Sequence, residues 1–129
     1  MPDILVEVRG DWLAGHEVEF LDAIHEALVT VLGYPVEDKL LRLITHAPSR
    51  FAIPHGTGDR FTRIEIVLFA GRTLDAKRAI YKAVVRALEP FGVPASDVKI
   101  VLVEIPTENV GFRGGVAACD VELGYEIGV

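Results

Sequence analysis

A strand–helix–strand pattern occurs twice along this chain, and that repetition restricts the fold more than any other feature. Residues 3–8, Asp-Ile-Leu-Val-Glu-Val, are rich in β-branched and apolar side chains and predict a strand right at the amino terminus. Across residues 15–32 the apolar positions Val18, Leu21, Ile24, Leu28 and Val31 recur at spacings of three and four, with Glu17, Glu19, Asp22 and Glu26 elsewhere on the cylinder. That is an amphipathic helix. Gly33 and Pro35 stop it, because glycine tolerates a left-handed cap and proline cannot continue the hydrogen-bond ladder. A strand over residues 39–45 completes the first unit. The second repeats the order: a strand over 63–70, a helix over 75–88 with Ala79, Ile80, Ala83, Val84 and Ala87 on one face, and a strand over 98–105. Thr73 is placed to cap the second helix, with Asp75 in its first turn set favourably against the helix dipole.

Each unit implies a parallel strand pair with a right-handed crossover. Joined about an in-plane two-fold, the pairs give an α+β fold: one four-stranded mixed sheet with both helices on one face. Residues 47–62 hold Pro48, Pro54, Gly56, Gly58 and Asp59 and predict an excursion or hairpin between the halves. The tail, residues 110–129, carries Gly111, Gly114 and Gly115 and then the alternation Val121-Glu122-Leu123-Gly124-Tyr125. It predicts a hairpin plus an edge strand able to pair with another subunit. With 129 residues, half of them hydrophobic, the chain reads as a single domain over 1–129. A mean hydropathy of +0.35 agrees with apolar surface buried between identical subunits.

Composition excludes several functions. A formal net charge of -6 opposes nucleic-acid binding, which needs clustered cations to displace counterions. The longest uncharged run of the first half, residues 27–36, contains Gly33 and Pro35 and is too short to span a bilayer. Asp3, Glu7, Arg9 and Asp11 break any secretory apolar core, so a cytoplasmic protein is expected. The one cysteine, Cys119, forbids an intramolecular disulfide and is expected as a small buried or half-buried thiol. His16, His25, His46 and His55 lack metal-ligand spacing, so no metal is expected. The segment His55-Gly56-Thr57-Gly58-Asp59-Arg60 has no following lysine or helix, and reads as a turn instead of a phosphate cradle.

Three residues carry candidate chemistry. Removal of Met1, usual when the next residue is small or proline, makes Pro2 a free secondary amine at the start of a strand. An α-amino group titrates near 7.7–8.0, and an apolar pocket disfavours its cation, giving a neutral general base at working pH. In a parallel pair both strands begin at one sheet edge, so Asp38 falls beside Pro2, where a carboxylate favours the ammonium form. Between the antiparallel halves the end of one strand meets the beginning of the other. That brings Arg72, in Gly71-Arg72-Thr73, within reach of Pro2 as a bidentate clamp for a substrate carboxylate.

Pro2 opening a strand, Pro35-Val36-Glu37-Asp38-Lys39, Gly71-Arg72-Thr73-Leu74-Asp75-Ala76-Lys77-Arg78, Asp97-Val98, and the stretch Val103 to Asn109 together resemble the tautomerase superfamily. The resemblance is nearest to its malonate semialdehyde decarboxylase-like group and runs from Pro2 to about Ala117. It implies a homotrimer without cofactor, in which Pro2 acts as general base or acid, Asp38 partners it, and Arg72 holds a small carboxylate-bearing substrate. Three readings stand: proton transfer on a 2-oxo acid, decarboxylation or hydration of a short 3-oxo or unsaturated acid through cationic Pro2 with Asp38, or trimeric binding without turnover. The chain departs from the family's pattern at three points. Ala70 and Gly71 stand where a second arginine often precedes Arg72, and Asp11-Trp12-Leu13 replaces a Gly-Arg-Ser turn. Asn109-Val110-Gly111-Phe112-Arg113 replaces Asn-Trp-Ser-Phe-Gly, leaving Phe112 as the aromatic wall and adding a charge at Arg113.

Overall fold

Four strands in the order β2-β1-β3-β4 run through the computed structural model, which describes residues 2–129. They are β1 (Asp3–Arg9), β2 (Leu41–His46), β3 (Thr62–Phe69) and β4 (Val98–Ile105), with helices α1 (Glu17–Leu32) and α2 (Leu74–Leu88) in the two crossovers. Within each unit the strands are parallel, β1 with β2 and β3 with β4, and the halves meet antiparallel at β1 and β3. This is the expected mixed sheet. Register carries the pattern across it: Leu41, Ile4, Ile66 and Leu102 form one row, and Leu43, Val6, Ile64 and Ile100 the next. Because strand side chains alternate faces, both rows point the same way, into the core beneath the helices.

The helices bury the centres of the expected stripes, Ile24 and Leu28 in α1 and Ile80 and Val84 in α2, but differ at the edges. In α1 the buried ridge is Phe20, Ile24, Leu28 and Leu32, an i, i+4 row, whereas Val18 is 72% exposed. The largest apolar surface won the inner position, since the Phe20 ring meets Trp12 and Phe91 edge-on at centroid distances of 5.7 and 5.0 Å. In α2, Ile80, Val84 and Leu88 are buried while Ala79 is exposed, because a methyl offers little area to hide. Thr73 caps α2 as expected, its Oγ1 accepting from the Ala76 N–H at 3.1 Å. Gly33 ends α1 at φ 75°, its N–H donating to Val29 O.

The tail forms only half of what was expected. Short strands β5 (Gly111–Phe112) and β6 (Val116–Ala117) make the hairpin, but residues 121–129 form no strand. Gly124, at φ 78°, bends the backbone out of extended geometry, and Tyr125 turns inward onto Tyr34. Residues 47–61 hold one 3₁₀ turn, Pro48–Arg50, and are an excursion, not a hairpin. Cys119 is exposed, against expectation, because it follows the buried Ala118 on a turn that points it outward. No helix is long and apolar enough to cross a membrane. The sheet face away from the helices alternates charge with apolar groups: Arg42 pairs with Asp3 at 2.5 Å and Arg63 with Glu65 at 3.2 Å, beside exposed Ile44 and Val103.

Candidate active site

The parallel register of β1 on β2 sets the first half of the site. Ile4 N donates to Leu40 O at 3.1 Å, so the residues just before each strand, Pro2 and Asp38, open onto one cleft of about 890 Å³. Pro2 is buried there and Asp38 is exposed at its edge. The turn that bears Asp38 is pinned twice: Asp38 N donates to Pro35 O at 3.0 Å, and His25 Nε2 reaches Val36 O at 2.8 Å. A carbonyl only accepts, so Nε2 carries the imidazole proton and Nδ1 accepts from the Tyr34 hydroxyl at 3.3 Å. His25 is thus a buried strut between α1 and the Asp38 turn.

The antiparallel pairing of β1 with β3 sets the second half. Asp3 lies opposite Val67, so the chain leaving β3 passes the start of β1 and turns at Gly71 into Arg72. Gly71 has φ 124°, and a Cβ there would lie 3.2 Å from Ile127 O of the tail, so this turn admits only glycine without strain. Arg72 is 8% exposed; its Nη2 donates to Leu32 O at 3.0 Å and its guanidinium stacks 5.9 Å from the Tyr125 ring centre. It makes no ion pair among the described residues. Burial draws its pKa below the ordinary arginine value, with the Tyr125 hydroxyl pulling the other way. The guanidinium does not itself line the cleft; Tyr125 does, and stands between the two.

Tyr125 had no signal in the sequence, since the alternation around it reads as a strand. Its phenol is raised by burial, lowered by Arg72 and raised by Asp38, so it feels both charged groups of the site. The Tyr34 phenol behind it is raised further, by burial first and then by Tyr125 and Asp38. On the far wall, Phe112 lines the cleft and packs edge-on against buried Phe69 at 6.4 Å. The cleft therefore gathers Pro2, Asp38 and Phe112, with Arg72 one aromatic ring behind its wall. A buried proline, a carboxylate at the edge and a desolvated cation nearby suit proton transfer on a small acid once removal of Met1 frees the Pro2 amine.

Comparison with known proteins bears on the family and the fold. Residues 38–113 match the family model described as tautomerase enzyme. A malonate semialdehyde decarboxylase inhibited by 3-bromopropiolate is 30% identical, with a TM-score of 0.81 over 88% of this chain and 91% of that one. A fused 4-OT, a wild-type symmetric trimer, is 25% identical with a TM-score of 0.80, covering 90% and 95% of the two chains. A second malonate semialdehyde decarboxylase, 22% identical, has a TM-score of 0.84 over 93% of this chain and 99% of its own, and shows the fold alone.

Proposed function

We propose that this chain, which belongs to the tautomerase enzyme family, is a single-domain tautomerase that moves a proton on a small 2-oxo acid with the amine of Pro2. The observation that carries the reading is the burial of Pro2 on the floor of the cleft, between the Asp38 turn and the wall that conceals Arg72. With Met1 removed, the nitrogen takes a proton from C3 as the C–H pair moves toward the carbonyl oxygen. The resulting ammonium returns that proton to the oxygen, giving the enol and a neutral amine; the reverse sequence restores the ketone. Asp38 steadies the ammonium between the two transfers.

Arg72 binds the substrate carboxylate once the Tyr125 ring, which stands between it and the cleft, swings aside. A buried guanidinium without a carboxylate partner carries a desolvation penalty of several kcal/mol, which an incoming anion relieves. Its fork suits a carboxylate bidentately, and one donor already spent on Leu32 O holds it in place. Phe112 bounds the apolar end of the substrate. These transfers need no cofactor. The face of the sheet opposite the helices is covered in a homotrimer, in keeping with the trimeric fused 4-OT. One free cysteine fits a reducing cytoplasm.

One observation favours a second reaction: the 30%-identical structure is a malonate semialdehyde decarboxylase. With Asp38 keeping Pro2 cationic, the ammonium polarises the carbonyl of a 3-oxo acid, and loss of CO2 passes the electron pair into an enolate. The titration of the amine separates the two. Intact-mass analysis before and after 3-bromopropiolate treatment tests the shared premise. A mature chain lacking Met1 and modified at Pro2 is expected, with labelling much reduced in Pro2→Ala. Retention of Met1, or modification only elsewhere, overturns it.

A further inference from the structure

The internal repeat places a second pocket at the opposite end of the sheet from Pro2. Gly33, Pro35 and Asp38 recur at one constant offset as Gly92, Pro94 and Asp97. Both glycines lie at φ 75°, and Asp97 N donates to Pro94 O at 2.9 Å as Asp38 N does to Pro35 O at 3.0 Å. At the same offset Phe61, preceded by Arg60, corresponds to Pro2. Phe61 is buried and its amide N–H donates to Gly58 O at 3.1 Å, while the buried Asp97 accepts from Gly58 N at 3.0 Å. The amine and the carboxylate of the first half therefore have no working counterparts in the second. What this end keeps is a pocket of about 680 Å³, bounded by Trp12 and Leu13 after β1, the start of α1, Arg60, and the turn after α2.

Arg60 is held in this pocket from three sides. Its Nη1 donates to Phe91 O at 2.5 Å, its guanidinium lies 5.0 Å from the centre of the Trp12 ring, and a Cβ on Gly92 would come within 3.0 Å of Nη1. Glycine at 92 thus leaves the room in which the guanidinium lies. The other nitrogens of the fork have no hydrogen-bond or carboxylate partner among the described residues. Glu19, the acid of the lining, faces His16 at 3.5 Å. A second observation calls for an acceptor here: Trp12 Nε1 is shielded from solvent and has no hydrogen-bond partner among the described residues. Leu13, Pro90 and Phe91 supply an apolar wall. We propose that this pocket is a second, non-catalytic binding site for a small carboxylate with an apolar body, held by the free donors of Arg60 and independent of Pro2.

Trp12 is the one tryptophan of the chain, so its emission reads this pocket and not the Pro2 cleft. Benzoate is the probe, benzamide its uncharged counterpart, and inorganic phosphate the anion without an apolar body. Titration of the full chain should give a saturable change in emission, with benzoate about tenfold tighter than benzamide, the size of one charge-assisted contact, and tighter than phosphate. Arg60→Gln should bring the ratio of benzoate to benzamide close to one. Glu19→Gln, a change at an exposed side chain, should tighten benzoate by about two- to threefold. Pro2→Ala should bind benzoate as the wild type does. Equal affinity for benzoate and benzamide, tighter binding of phosphate, or loss of the response in Pro2→Ala refutes the proposal. So does an Arg60→Gln variant that keeps the preference; should that variant fail to fold, an unchanged affinity in Glu19→Gln refutes it instead. Absence of labelling at Pro2 by 3-bromopropiolate bears on the proton-transfer reading alone.

Discussion

Arg72→Met separates two roles that the structure gives to one side chain. Methionine keeps the apolar stem but removes the charge, the hydrogen bond to Leu32 O at 3.0 Å and the stacking on Tyr125 at 5.9 Å. A charged hydrogen bond contributes about 1.5–3 kcal/mol and a stacked cation about 0.5–2 kcal/mol. Against this, the variant no longer desolvates an unpaired guanidinium that is 8% exposed, a penalty of several kcal/mol. The two sides nearly cancel, so urea denaturation should find the stability changed by no more than about 1–2 kcal/mol. Catalysis should respond differently. Losing the partner of a desolvated carboxylate removes about 2–4 kcal/mol of transition-state binding, a fall in kcat/KM of about 30- to 1000-fold. An aryl 2-oxo acid and its methyl ester, assayed side by side, check this: the acid should lose nearly all of that factor and the ester little. Equal losses for the two would refute carboxylate binding. A stability loss beyond about 3 kcal/mol would show instead that Arg72 is chiefly a brace for the end of α1.

Further outcomes follow from the residues around it. The buried Tyr34 phenol holds its proton to higher pH than in the unfolded chain, where tyrosine ionises near 10. Its contribution is complete below that pH and is lost above it, at about 1.4 kcal/mol per pH unit, because the unfolded state then binds fewer protons. Tyr34→Phe should be about 1 kcal/mol less stable at pH 7, where His25 Nδ1 loses its donor, yet decline less steeply between pH 10 and 11. Denaturation curves with parallel pH dependence for both proteins would contradict this. Gly71→Ala forces a Cβ to within 3.2 Å of Ile127 O at φ 124°, which should destabilise by about 1–3 kcal/mol and lower turnover by misdirecting Arg72. Thermal denaturation and kinetics indistinguishable from the wild type would show that the turn yields freely.

The legible parts of the site were those that depend on topology. Pro2 and Asp38 share a cleft because parallel strands start at one edge, and Arg72 comes near because antiparallel halves meet end to start. What escaped the sequence was the layer behind them. Tyr125 reads as one step of a strand alternation, and only Gly124 hints otherwise. His25 gives no metal spacing, and its function as a strut depends on Tyr34 and on Val36 O, nine and eleven residues away.

Local chemistry in the sequence determined the elements and their order: periodicity of two or 3.6 for strands and helices, Thr73 and Gly33 at helix ends, and two crossovers of fixed hand. These depend on neighbours a few residues apart, so one chain read alone reveals them. Tertiary packing decided that Phe20 and Leu32, and not Val18, complete the inward stripe of α1, where the tail ends, and which side chain stands in front of Arg72. Those outcomes are contests among surfaces distant in sequence, settled by how much apolar area each arrangement hides and whether every buried polar group finds a partner.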